Sequence, residues 1–221
     1  MLMEKRAHLY AYAVTRDFGF APNPFHGVCT LATCKPRIRK TAKVGDWVLG
    51  AGGRNLGDVY RKCIFLMKVT EKTTFQAYWD DARFQLKRPV RNGSNVQILG
   101  DNIYHRGPDG AWIQEDSHHS NEDGTCNIDN LERDTGNTDS VLISEYFFYF
   151  GAEAVAVDLE SIGYNRVRDY IKKELTPGSA AEMLIQDICE KYRKDVNLVV
   201  SDPCQFNLAD KRVDQITGKL S

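Results

Sequence analysis

The run SVLISEYFFYFG, residues 140–151, constrains the fold more than any other stretch of this chain. It is long, β-branched and aromatic and ends on a glycine, so it reads as a strand that buries most of its side chains. AHLYAYAVT, residues 7–15, alternates and reads as a second strand. GDWVLG predicts a turn into a buried strand, and YRKCIFLMKVT, residues 60–70, predicts the antiparallel partner of 46–50. TTFQAYWDDARF, residues 73–84, predicts a short helix. Thr73 or Thr74 caps it, and Phe75, Tyr78 and Trp79 share one face. Residues 86–140 read as mostly irregular, with NVQILGDNIYH and AWIQ as short strand candidates. The polar tract 115–139 has no apolar period, and so long a connection in a compact domain is either functional or disordered.

The character changes after Gly151. Residues 158–174 and 179–194 carry helical spacing, and Ser179 with Glu182 forms a capping box behind Pro177 and Gly178. The expected class is therefore α+β: a small, mostly antiparallel β-barrel or curled sheet with helical insertions and a helical C-terminal part. Residues 1–157 are expected to form the first domain, with 158–221 as a helical extension packed on it.

At 221 residues and 42% hydrophobic content, a core of normal size forms without help from metal or disulfides. Six cysteines scattered over this length fit reduced thiols better than a disulfide framework. No apolar run approaches the ~20 residues a spanning helix needs, and the N-terminus lacks a signal-peptide pattern. No membrane association and a cytoplasmic location are expected. The net charge of −1 hides an asymmetry: residues 1–100 hold 17 Lys and Arg against 7 Asp and Glu, the remainder 12 against 23. A basic half permits an anionic partner, unless the halves neutralise each other in the fold.

Residues 19–40, GFAPNPFHGVCTLATCKPRIRK, carry the densest chemistry. Lys35, Arg37, Arg39, Lys40 and Lys43 can grip phosphate or form a solvated cationic turn. Phe18, Phe20, Phe25 and Trp47 can stack on a base, or serve as core; for Trp47 core is the stronger reading. Asn23 and Thr30 can read a base edge. His26, Cys29 and Cys34 match no common zinc spacing, even with His118, His119 and Cys126 added. Cys29 or Cys34 can instead be a nucleophile activated by a histidine such as His118 and by the nearby cations, or a small packed residue. GAGGRNLG lacks the third glycine and the following helix of a dinucleotide fingerprint.

The segments GFAPNPF.G.CTLATCKP.IR..A..GDWV.G, F..YW.D.RF..KRP, GDNIY, W.Q.DS.HS, NLERDT and VLIS..FFYFG together resemble the nucleotide modification associated domain 2 family, in order, from about residue 9 to 151. That family takes its name from appearing beside systems that modify nucleic-acid bases. The order of strand, loop, VGDWVLG and CIFLMKVT is also similar to the PUA, ASCH and EVE group of small barrels. Such modules bind RNA or modified bases in a cleft beside that loop, and the resemblance makes Asn102, Tyr104, Trp112 and His118 further candidates.

The expectation is a module that recognises a base, modified for preference, through Phe20, Asn23, Phe25, Cys29, Thr30, Lys35, Arg37, Arg39, Trp47, Asn102, Tyr104 and His118. No cofactor or metal is expected. The expected partner is nucleic acid or a free nucleotide, with DNA-modification proteins as further candidates. Two rivals stay open: an enzyme using Cys29 or Cys34 with a histidine base, and a protein-interaction domain.

Overall fold

The computed structural model describes residues 6–165, 169–213 and 220. The strands and helices in chain order are β1 (His8–Val14), β2 (Cys29–Leu31), α1 (Pro36–Thr41), β3 (Trp47–Gly52), β4 (Cys63–Lys68), β5 (Glu71–Thr74), α2 (Phe75–Asp80), α3 (Asn95–Ile98), β6 (Tyr104–Arg106), β7 (Trp112–Gln114), α4 (Ile128–Thr135), β8 (Ser140–Ser144), β9 (Tyr146–Tyr149), β10 (Tyr170–Glu174) and α5 (Ala180–Lys191).

Five strands form one sheet in the order β10-β1-β3-β4-β9, three form a second in the order β2-β8-β5, and β6 with β7 makes a separate hairpin. Every one of these pairings is antiparallel except β1 with β3. The fold is thus α+β. Among the described residues the strands form open sheets and no closed barrel, with β10 and β9 as separate edges of the large sheet.

The layers follow from alternation along the strands. On β1, Leu9 and Ala11 face one core while Tyr10, Tyr12 and Val14 face another. β4 and β9 divide the same way, with Leu66 and Phe148 on the first side and Phe65, Met67, Phe147 and Tyr149 on the second. The first core is closed by α5 through Leu184, Ile185 and Ile188; each such burial contributes about 1.5–3 kcal/mol. The second is closed by the three-stranded sheet through Cys29, Leu31 and Leu142. Val141 and Ile143, on the opposite face of β8, join Phe75, Tyr78 and Tyr104 in a third core.

The single strand expected over 140–151 is two. Ser144 Oγ donates to the carbonyl of Tyr146 at 2.8 Å, and the chain crosses at Glu145 from the second sheet into the first. Thr74 caps α2, accepting from the Ala77 amide. NVQI is helical rather than extended, held by a capping box between Ser94 and Gln97. The helical spacing over 158–174 corresponds instead to turns and strand β10, which hydrogen-bonds along β1; residues 166–168 of that stretch lie outside the described residues. The second expected helix is α5, with Ser179 as its cap. Among the described residues no helix is long and apolar enough to cross a membrane.

The loop from 15 to 28 is anchored from beneath by a buried polar network. Lys87 Nζ donates to the Asn23 carbonyl, Asn23 Oδ1 and the Val28 carbonyl at 2.8–2.9 Å. Asp101 accepts from Thr30 Oγ1 at 2.7 Å and from the Tyr78 hydroxyl at 2.8 Å. From above, Gly19 takes a φ of +81° against Pro203; a Cβ there would stand 2.7 Å from the proline ring. Only glycine meets both demands without a shift.

Candidate active site

Three side chains from separate parts of the chain converge at the start of α1. Cys34 precedes the helix; its Sγ lies 3.8 Å from His119 Nε2. His119 Nδ1 lies 3.0 Å from Asp134 Oδ2, near the end of α4. A carboxylate only accepts, so Nδ1 carries the proton of this bond and Nε2 is the nitrogen turned to sulfur. This is the nucleophile–base–orienting-acid arrangement of thiol and serine enzymes.

Each member is held from several sides. The Cys34 amide donates to Asp134 Oδ1 at 2.8 Å. Asp134 Oδ2 also accepts from the Tyr104 hydroxyl at 3.0 Å and from Arg133 Nη2 at 3.1 Å. The His119 carbonyl accepts from Asn130 Nδ2 at 2.7 Å and from Gln114 Nε2 at 3.3 Å. Arg39, wholly buried, donates to the carbonyls of Cys34, Ser140 and Asp134 at 2.7–2.8 Å. It thereby clamps α1, α4 and β8 together. Cys34 and Lys35 are both in the left-handed region, at φ 56° and 38°. Non-glycine residues held there cost on the order of 1–3 kcal/mol each, and such strain clusters at working sites.

The electrostatics favour a charged pair. Burial alone raises the Cys34 thiol, but the positive charges of Arg133 and His119 outweigh it and hold the thiol below its ordinary value. Burial lowers His119, but Cys34 and Asp134 more than restore it, so this imidazole is raised. Burial raises Asp134, but His119 and Arg133 reverse that and depress it strongly. A thiol lowered beside an imidazole raised is the setting of a thiolate–imidazolium pair.

The rest of the expected residues are distributed as follows. Cys29 is buried in the second core, its thiol pushed up to about 12 by burial. His118 is buried beside His119, but its pKa falls to about 3 through burial and the charge of His119. Asn23 and Thr30 spend their polar groups in the network beneath the loop. Asn102 Nδ2 donates to the carbonyls of Tyr78 and Phe84. Trp47 faces the first core, on the far side of the large sheet from Cys34. Phe25 packs against Phe206, 5.7 Å between centroids. Lys35 and Arg37 approach Asp169 at 3.6 and 3.8 Å. Among the described residues no group of three or more His, Cys, Asp or Glu is placed to hold a metal ion.

Beside Cys34 opens a pocket of about 120 Å³, lined among others by Tyr12, Phe18, Phe20, Lys35 and both histidines. Phe20 packs on His118 and His119, with centroids 5.2 and 4.6 Å apart. Thus the structure brings Phe20, Cys34, Lys35 and His118 of the expected residues to one place, while Tyr104 supports it from behind. Arg133 and Asp134 carry chemistry that sequence reasoning did not single out, and His119 entered it only beside His118. The signal for them lay in the segments W.Q.DS.HS and NLERDT, where His119, Arg133 and Asp134 stand.

A search of curated proteins and a search of solved structures each found no match. A family model does match residues 6–210 of the 221, a span that holds every strand of both sheets and all three residues of the triad, and the chain belongs to the nucleotide modification associated domain 2 family.

Proposed function

We propose that this protein is a cysteine-nucleophile enzyme acting on a nucleobase or nucleotide in a base-modification system. The observation that carries the proposal is Cys34 Sγ at 3.8 Å from His119 Nε2, with Asp134 behind the same ring. The family's association with nucleotide modification supports the substrate class. In the step envisaged, the Cys34 thiolate forms a bond to an electrophilic carbon of the substrate. The displaced electron pair moves to the heteroatom on that carbon, and His119 gives its Nε2 proton to that atom. Asp134 keeps the imidazole in the productive tautomer throughout.

A purely binding, PUA-like module reading a modified base is the second reading. The aromatic pocket favours it, but it gives no role to a thiol with a depressed pKa. Cytoplasmic location and partners such as nucleic acid or DNA-modification proteins belong to the same proposal.

Iodoacetamide labelling at pH 6, resolved by mass spectrometry over all six thiols, tests the enzyme reading. Cys34 should react first, and His119→Ala should abolish its lead. The other partly exposed thiols, Cys126, Cys189 and Cys204, are all raised by burial and serve as internal references. Equal, slow labelling of all six would remove the basis for a nucleophile.

A further inference from the structure

The pocket beside Cys34 contains polar groups that the triad does not use. Tyr12 and His118 both line it, and both are 2% exposed. Among the described residues the Tyr12 hydroxyl and His118 Nδ1 have no hydrogen-bond partner. Such orphans are uncommon, because burying a polar atom without a partner costs about 1–3 kcal/mol. Two on side chains that line one small cavity, next to the Cys34 thiol, call for an explanation by what the cavity holds.

The chemistry of the two groups narrows the occupant. His118 is pushed down to about 3, so it is neutral at working pH, and the ring makes its hydrogen bond to the Lys211 backbone. A neutral imidazole that donates through one nitrogen offers the other as an acceptor. Burial keeps the Tyr12 phenol protonated, so it is available as a donor. These two groups thus offer one donor and one acceptor, both uncharged, in a lining that also holds the cations Arg16 and Lys35. The walls are Phe18 and Phe20, packed against His118 at 4.6 and 5.2 Å between centroids. A cavity of about 120 Å³ is well below the ~300–1,000 Å³ that encloses a drug-sized ligand, so it takes a single ring or a side group.

We propose that this pocket reads a neutral lactam or carboxamide edge, with Tyr12 donating to its carbonyl oxygen and His118 Nδ1 accepting from its N–H. A pyrimidine base in its keto form has that edge and that size, and any sugar-phosphate would remain outside, near Lys35. The inference rests on reading Cys34 as the nucleophile only in taking this cavity as the substrate's place.

The test separates the two. Cys34→Ala removes the thiol, so binding is read without chemistry, by thermal shift and calorimetry with uracil, 2-pyridone and uracil methylated on both ring nitrogens. Uracil and 2-pyridone should raise the melting temperature of the Cys34→Ala protein, and the dimethylated ring should not. Adding Tyr12→Phe, which keeps the ring and so the packing, should weaken uracil about tenfold, as losing one hydrogen bond predicts. His118→Phe should do the same, and if it does not fold, Tyr12→Phe decides. No shift with either lactam, or equal binding of the dimethylated ring, overturns the proposal even where Cys34 labels rapidly. Lactam binding with slow, uniform labelling would instead keep this inference and discard the enzyme.

Discussion

Cys34 and His119 stand 85 positions apart in the chain and 3.8 Å apart at Sγ and Nε2. Neither position is reactive by itself. The thiol follows a short strand, and the imidazole lies in a polar tract. The contact arises because β2 pairs with β8, which brings α1 alongside α4, and because the Arg39 guanidinium ties the carbonyls of Cys34 and Asp134 to one point.

The reactivity of Cys34 should show an inflection below the ordinary thiol value. Arg133→Gln and His119→Ala each remove a positive charge that lowers it, so each should move the inflection upward. Rates of alkylation of the folded protein between pH 5 and 9, read on the Cys34 peptide after digestion, check this. An inflection that stays in place in both variants contradicts the electrostatic account.

Asp134→Asn leaves the shape of the side chain but reverses what His119 meets. A triad acid replaced by its amide loses orientation and tautomer, and a fall in turnover of about 10²–10⁴-fold is expected. Two arginines and a histidine also lose their counter-charge, so the variant should be less stable by about 3–5 kcal/mol, read from urea unfolding. Because Asp134 is depressed in the folded state, its contribution is present above the unfolded carboxylate value and is lost only as pH falls into strong acid.

Asp101 works in the opposite direction. Burial raises it from 3.8 to about 6, against the opposing pull of Lys87 and two hydroxyl donors. The folded chain therefore holds this proton longer than the unfolded chain. Its contribution is full below about pH 4 and disappears as pH rises through 6. Asp101→Asn should flatten the pH dependence of the melting temperature over that window. An unchanged slope would show that other groups set it.

Arg39 and Arg37 differ by two positions and should differ widely in consequence. Arg39 is buried with its donors on three carbonyls, and Arg39→Met should cost about 3–5 kcal/mol and disturb the Cys34 region. Arg37 is 79% exposed beside Asp169, and Arg37→Ala should stay within about 0.5 kcal/mol of the parent in denaturant midpoint. Similar losses in both would contradict the division into structural and surface cations.

Local patterns in the chain were enough for β1, for the antiparallel pair β3 and β4, for α2 with its Thr74 cap and for α5 with its Ser179 cap. In each case the period, and for the two helices the cap, is written within one stretch of residues. They were not enough for the break at Glu145 or for strand β10. The turn between the aliphatic run SVLIS and the aromatic run YFFY carries no glycine or proline, and an edge strand with mixed burial can imitate helical spacing.

The site divides along the same line. By itself the sequence determined that a loop rich in aromatics, a thiol and cations follows the first strand, because those are properties of adjacent residues. Only the tertiary structure decided that Arg39 faces inward, that Asn23 and Thr30 are spent on anchoring the loop, and that His119 rather than His118 meets the sulfur. Adjacent histidines look alike in one dimension. Which one meets the thiol depends on partners contributed by residues 34, 114, 130 and 134, and a buried polar group takes its role from the neighbours that satisfy it.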